Sequence, residues 1–418
     1  MSGRFVAVID RQQAEQLAAV WASRDSLRLG HECTPVVTEF DLGYVITSTV
    51  STQVRALPGD LPTTVVDKAS GEVTTWPRVP PETVEQLWRR SRPTGPRPPR
   101  TVDPASQLLR EIRRLPTPTT AAHLVVEGKI FTAHGAKGDV ELDHHPLVRA
   151  YLDDLPPGHL VRGGERHAEI IVVSDVLHEY DHRRAAEGIA PMGTADAEAL
   201  LRRVRFDVTR VREAGDPQGG RAERPCDSCL NFLVHVNVLP WAELAFTSVV
   251  RPQSPGQPHH PGRFPPEVAA ALMDAGWEAG MFNAALARGA IQETCDVSGR
   301  LHRHEPFAAA VRALTEFPSI VSHRRGPGQQ VWISQFTTNP LRSAHSADTL
   351  ADFGTLLDVR LFPMGSEHGD SIIAVDEHGR IFALDQAGEW FLGDDIDAAL
   401  TTLLLGRAPA RVRDDGTW

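Results

Sequence analysis

Apolar positions recur along this chain with two different periods, and the changes of period sort it into three stretches. In the first, AEQLAAVWA has apolar residues three and four apart, the spacing of a helix. VVTEFDLGYVITSTV and VVDKASGEVTTW alternate as strands do, with a hairpin turn at Ala69 to Gly71, and PETVEQLWRR returns to the helical period. That order predicts an α+β unit. The second stretch opens with helix-like ASQLLREIRRL, then HLVVEGKIFTAHG, two short strands around Glu127-Gly128, and a helix through HPLVRAYLDDL. A glycine loop in VRGGERHAEIIVVSDVL feeds a helix that starts near His167, followed by helix ADAEALLRRV and strand FDVTRVR. RPCDSCLNFLVHV is the next helix, with Pro225 suited to its first turn, and VNVLPWAELAFTSVV is expected to close as a hairpin. This order predicts a three-layer α/β/α domain. In the third stretch FPPEVAAALMDAGW is a helix opened by proline and closed near Gly276. LFPMGSEHGDSIIAVDEHGRIFAL follows as two strands around a His378-Gly379 turn, and then EWFLGDDIDAALTTLLLG, in which Asp394, Asp395 and Asp397 suit a helix N-terminus.

Proline-rich SRPTGPRPPRTVDP and RPQSPGQPHHPGRFPP continue neither a helix nor a central strand, so they read as linkers. The expected organisation is an α+β domain at 1–91, a linker at 92–104, an α/β domain at 105–250, a linker at 251–262 and an α+β domain at 263–418. A chain of 418 residues has room for three cores. No apolar run approaches bilayer length, and the first residues lack the regions of a signal peptide. Four cysteines make no disulfide framework, so a cytoplasmic protein with no membrane partner is expected. The net charge of −11 argues against a nonspecific nucleic-acid coat, although seven arginines lie between positions 202 and 224.

The middle stretch carries the chemistry. Catalytic zinc takes three protein ligands and keeps the fourth position for water, and His167, Cys226 and Cys229 provide three ligands of suitable softness. The two-residue gap of CDSC at a helix start lets both sulfurs reach one ion, where the helix dipole favours thiolate. Glu169, two residues beyond the histidine, is placed to take a proton from activated water and pass it to a leaving amine. This H-x-E with P-C-x-x-C is the pattern of zinc nucleobase deaminases, which act at C4 of cytosine or C6 of adenine. H-x-E alone has no weight in a chain with 18 histidines, but P-C-x-x-C is expected by accident only roughly 0.003 times here.

A rival motif lies between the two. His178-Glu179-Tyr180-Asp181-His182 fits the H-E-x-x-H of metalloproteases, but Asp181 charges an ordinarily apolar position and no third ligand follows. Arg210 and Arg212 share one face of FDVTRVR and have two readings: phosphate contacts that steer a substrate, or a solvated face paired with Glu213, Asp216 and Glu223. Phe131 and Trp241 are candidates to stack on a base, beside the ordinary reading of aromatics as core.

Three resemblances complete the picture. Residues 105–250 resemble the YwqJ-like deaminases of the cytidine-deaminase-like superfamily, through the HAE form of the first motif and the expected closing hairpin. That resemblance implies Zn2+ held by His167, Cys226 and Cys229, with Glu169 as proton shuttle. The interval between the motifs is longer than usual, and the surplus is assigned to an insertion at 179–204. The first stretch resembles the YrhB-like immunity family through Asp67, Gly71 and Trp76, with Ser70 in place of the usual threonine. The third resembles the third subgroup of the SUKH immunity superfamily through Gly276-Trp277, Phe362-Pro363, Val375-Asp376, Gly379-Arg380 and the run from Trp390 to Ile396. Together they imply a zinc-dependent deaminase of a nucleobase, cytosine favoured, with flanking modules that bind protein partners, and the spread of arginines from Arg202 to Arg224 points to single-stranded nucleic acid as its substrate. A free-nucleotide deaminase and a polyimmunity protein whose deaminase fold only binds are the alternatives, with the protease more remote.

Overall fold

The structure is a computed structural model, and it describes residues 9–29, 31–50, 63–69, 71, 73–76, 79–91, 117–139, 141–213, 215–246, 249–251, 262–297, 299–368 and 371–418. Most of both proline-rich stretches and the ASQLLREIRRL helix lie outside the described residues. The rest combines helices and sheets in each of three segments, as the mixed α/β and α+β expectation requires.

The N-terminal segment runs α1 (Arg11–Leu29), β1 (Cys33–Glu39), β2 (Gly43–Val50), β3 (Thr63–Asp67), β4 (Val73–Trp76) and α2 (Pro81–Ser91). The strands form an antiparallel sheet in sequence order. Alternation sends Tyr44, Ile46 and Val66 to one face, under Leu17 of α1, and Phe40, Val45 and Val65 to the other, against Trp88 of α2. The β3–β4 hairpin turns as expected: Gly71 takes φ 65°, and the Asp67 carboxylate accepts from the Ala69 amide at 2.8 Å.

The middle segment runs β5 (Thr119–Val126), β6 (Lys129–His134), α3 (Pro146–Asp153), α4 (Ala168–Ala186), α5 (Thr194–Leu201), β7 (Arg205–Val211) and α6 (Asp227–His235). Its three strands pair antiparallel in the order β6-β5-β7. Helix α4 lies against β5 and β6 and its first ten residues are buried on nearly every side, so Ile170, Val172, Val173, Val176 and Leu177 are buried together with Leu124 and Phe131 of the sheet. One expectation needs correction. Among the described residues no closing hairpin forms: Asn237 at φ 62° ends α6 in a left-handed turn, and Pro240 leads into a short 3-10 helix, Trp241–Phe246. Val250 bridges instead to Arg325 of the C-terminal segment. The first eight residues of 179–204, assigned above to an insertion, continue α4, and Asp181 holds the return by accepting from the Met192 amide at 2.6 Å.

The C-terminal segment contains α7 (Pro266–Asp274), α8 (Ala284–Asp296), α9 (Ala308–Glu316), β8 (Val321–Ser322), β9 (Phe336–Thr337), α10 (Ala347–Leu357), β10 (Leu361–Glu367), β11 (Ser371–Asp376), β12 (Ile381–Asp385), β13 (Gly388–Gly393), α11 (Ile396–Leu405) and β14 (Ala410–Arg411). Seven antiparallel strands form one sheet in the order β14-β13-β12-β11-β10-β9-β8. One face buries Phe362, Ile373 and Ala383 under α7, α9 and α11, and the other buries Ile372 and Phe382 under α10. The expected turns are present, with Gly276 at φ 85° and Gly379 at φ 95°. Asp395 caps α11, its carboxylate accepting from the Ala398 amide at 2.8 Å.

Candidate metal centre

Two helix starts meet in the middle segment. Gly163, at φ 62°, turns the chain into a 3-10 turn, Gly164–Arg166, from which His167 emerges extended at φ −74°, ψ 143° as the residue capping α4. Ala168 and Glu169 therefore occupy the first turn of α4, where main-chain N–H groups have no partner within the helix. Cys226 likewise caps α6 at φ −62°, ψ 163°, and Cys229 follows within the first turn. Motifs 59 residues apart are thus brought face to face.

The His167 Nδ1 lies 3.5 Å from Cys226 Sγ and 3.4 Å from Cys229 Sγ, and the three ligand atoms fall within 4.8 Å of one another. Tetrahedral zinc, with sulfur at roughly 2.3 Å and nitrogen at roughly 2.0 Å, sets such atoms roughly 3.5–3.8 Å apart. The donor set and the spacing fit that ion. Among the described residues this is the one His/Cys/Asp/Glu group of three that meets the geometry of a metal site. His167, Cys229 and Glu169 are 6%, 0% and 1% exposed, and Cys226 is partly buried.

The electrostatics follow from this burial. Hydrogen bonding from the Cys229 thiol, with His167 alongside, holds the Cys226 thiol well below its ordinary pKa, whereas burial pushes Cys229 up. Burial opposes a charge on His167, but the Cys226 thiolate outweighs it and raises the imidazole to about 9. Burial raises Glu169 to about 7, well above an ordinary carboxyl. The Cys226 thiolate is thus offset by the His167 imidazolium while Cys229 keeps its proton, and a bound cation would compete with those protons for the three side chains.

The remaining sequence candidates lie elsewhere. Arg210 pairs with Glu223 and donates to Gln218 at 3.2 Å, while Arg212 donates to the Thr119 carbonyl at 3.1 Å. Phe131 sits in the core, with the Lys129 ammonium 4.7 Å from its ring centre. Trp241 is 79% exposed on the 3-10 turn. The HEYDH residues lie within α4 and are occupied separately. His178 contacts the Asp143 carbonyl at 3.0 Å, Glu179 pairs with Lys129 and Arg183 at 2.7 and 2.8 Å, and His182 faces Thr83 of the N-terminal segment at 3.4 Å.

Sequence reasoning missed the C-terminal residues that reach this centre. Gln386 Oε1 accepts from the Ala168 amide at 3.1 Å, and its Nε2 lies 3.5 Å from Glu169 Oε2. Asp227, between the two cysteines, is gripped by Arg325 and accepts from Trp332 Nε1 at 3.2 Å. Arg162 donates to Asp385 at 2.8 and 3.0 Å and pairs with Glu367 at 2.9 Å. A separation of more than 200 residues left no local signal for Gln386 or Asp385.

A buried His/Cys/Cys group with an adjacent glutamate, in the middle one of three mixed helix-and-sheet segments, is the donor set of a candidate metal centre. Comparison with known families gives the particulars. The family model of the YwqJ-like deaminases matches residues 103–238, that of the immunity protein 35-like domain matches 3–95, and that of the SUKH-3 immunity proteins matches 264–406. No curated protein and no solved structure matches the chain.

Proposed function

We propose that the protein is a zinc-dependent hydrolytic deaminase of a nucleobase, cytosine favoured, acting on single-stranded nucleic acid in the cytoplasm, with flanking modules that bind proteins. The observation that carries this is the convergence of His167, Cys226 and Cys229 within 4.8 Å, with Glu169 in the adjoining helical turn. In this account the modules span 1–91, 105–250 and 263–418, and the middle one is a three-layer α/β/α core of which α4 and the β6-β5-β7 sheet form the centre.

His167, Cys226 and Cys229 would hold the zinc, which when bound supplies the Lewis acidity that activates a water for attack on the amino-bearing ring carbon. Glu169 would take a proton from the attacking water and pass protons to the ring nitrogen and the departing amine, so that the water's oxygen stays as the ring carbonyl and its two protons leave on the ring nitrogen and in ammonia. A carboxyl 1% exposed in the first turn of α4 suits a group that must act first as base and then as acid. The buried surroundings keep bulk water from competing for the proton. Support for a nucleic-acid substrate comes from Arg202, Arg203, Arg205, Arg221 and Arg224, all exposed around β7 and the approach to α6.

The test is metal analysis of the purified chain, with ammonia release from cytidine, its nucleotides, the adenine counterparts and single- and double-stranded DNA and RNA. About one zinc per chain and turnover of a cytosine-bearing single strand are expected. A protein that neither holds nor takes up zinc would refute the proposal, and turnover of free nucleotides alone would refute the nucleic-acid part of it.

A further inference from the structure

The C-terminal segment contacts both helix starts that carry the ligand residues. At α4 the contact is Gln386, on the tight β12–β13 turn; at α6 it is Arg325 and Trp332, both on Asp227. Asp385 braces the turn from within. Its Oδ1 accepts from the amides of Ala387 and Gly388 at 2.9 and 3.2 Å and from Trp390 Nε1 at 3.0 Å, and its Oδ2 accepts from Arg162. The middle segment is shaped to receive it. A Cβ at Gly135 would lie 2.3 Å from the Gln386 carbonyl oxygen, and one at Gly163 would lie 2.6 Å from the Trp390 ring. Only glycine admits so close an approach.

What Gln386 presents there is chemically specific. A carboxamide carries an NH2 donor and a carbonyl acceptor on one planar carbon. Cytosine likewise offers an amino donor beside ring acceptors. The Gln386 carbonyl takes a main-chain N–H at the helix start, which turns its NH2 toward Glu169, the carboxylate assigned above to proton transfer at a substrate amine. Glu169 and Ala168, at 1% and 0% exposed, leave no open surface for a second occupant.

We propose that Gln386 is a pseudosubstrate: the 385–388 turn fills the substrate position, and the C-terminal module holds the deaminase module closed in the resting chain. The inference rests on the proposed deaminase function. Several ion pairs and hydrogen bonds cross the seam between the modules, and such contacts can exchange for water when it opens. Besides Arg162 with Asp385 and Glu367, and Arg325 with Asp227, the Glu213 carboxylate accepts from the amides of Asp348 and Thr349, each at 2.9 Å. Separation of the two modules, for example when a protein partner engages the C-terminal one, would admit a base to the site.

The experiment uses the full-length, zinc-reconstituted chain and two variants. Gly135→Ala drives a methyl group into the Gln386 backbone, at a position whose own backbone lies outside the left-handed region. Gln386→Ala removes only the carboxamide and serves should the wedge impair folding. Two rates are read: transfer of zinc to a chromogenic chelator, and ammonia release from cytidine and from a cytosine-bearing single-stranded oligonucleotide. Both are expected to rise about tenfold or more in each variant over the unaltered chain, as local opening becomes more frequent. Equal rates in all three proteins would overturn the proposal. So would a fall in turnover with zinc still held, since Gln386 would then complete the site and not block it. Faster zinc transfer without ammonia from any base would uphold the closed site and refute the deaminase chemistry behind it.

Discussion

Replacing Arg162 by methionine is expected to unseat the C-terminal segment. Arg162 is buried with two carboxylates around it: Asp385 accepts two of its hydrogen bonds, and Glu367 pairs with it at 2.9 Å. Methionine fills a similar volume but leaves both acids at the seam without their cation, and removing one partner of a buried ion pair destabilises by about 3–5 kcal/mol. The loss divides unevenly. Asp385 still accepts three N–H bonds from its own turn, so most of the uncompensated charge falls on Glu367. Thermal unfolding provides the assay. At about 2–4 °C per kcal/mol for a unit of 150–250 residues, the midpoint should fall on the order of 10 °C. Adding Glu367→Gln should restore part of the loss, a coupling of about 1–3 kcal/mol, although Glu367→Gln alone should destabilise because it takes a partner from Arg162. A midpoint within about 2 °C of the parent, or strictly additive effects, would refute the account of the triad.

Other outcomes follow from the site. Glu169→Ala should keep about one zinc per chain and lose about 10²–10⁴-fold in turnover in a chain that turns over substrate, whereas Cys226→Ala should lose the metal as well; zinc content and ammonia release are the measurements. Removing zinc with a chelator should lower the unfolding midpoint of the protein, and adding zinc back should restore it. Burial depresses His144 to about 4, against a donated bond to the Glu165 carbonyl, from an ordinary value of 6.5. The unfolded chain therefore binds the extra proton first, so stability is full above pH 6.5 and falls by about 3 kcal/mol as pH drops toward 4. A denaturant series across that range should show the step, and His144→Gln should remove it. Substituting Arg202, Arg203 and Arg205 by serine should reduce the salt dependence of oligonucleotide binding by about 2 in the log–log slope, measured by titration at several ionic strengths.

The His/Cys/Cys group was legible in the sequence because each motif is local: a glycine loop or a proline, then a helix, with His167 and Cys226 at the capping positions and Cys229 in the first turn. Chemistry and element boundary coincide there, so the residue spacing carried both. The VNVLPWAELAFTSVV stretch misled because its alternation fits a strand, while Asn237 in the left-handed region and Pro240 after it stop α6 and begin a 3-10 turn. The arginines divided between their two readings. Arg210 takes Glu223, but Glu213 turns away to the amides of Asp348 and Thr349, partners some 135 residues distant. Contacts between segments, Gln386 on α4 above all, depend on how separately folded surfaces meet, and hydrophobic period within one segment says nothing of that.

Gly135, Gly158 and Gly163 are the places where the middle segment touches its neighbour without a side chain between them; at Gly158 a Cβ would stand 2.1 Å from the Gly328 carbonyl oxygen. This bears on inheritance. A middle segment carried into another chain would bring three bare patches of backbone shaped to this neighbour's turns. A C-terminal module with a longer β12–β13 turn would seat there poorly, and a middle module that had acquired even alanine at Gly135 would hold the present one less tightly. Within such a lineage the two modules can be inherited together or drift together, and a recombination that parts them would leave the glycines free to vary.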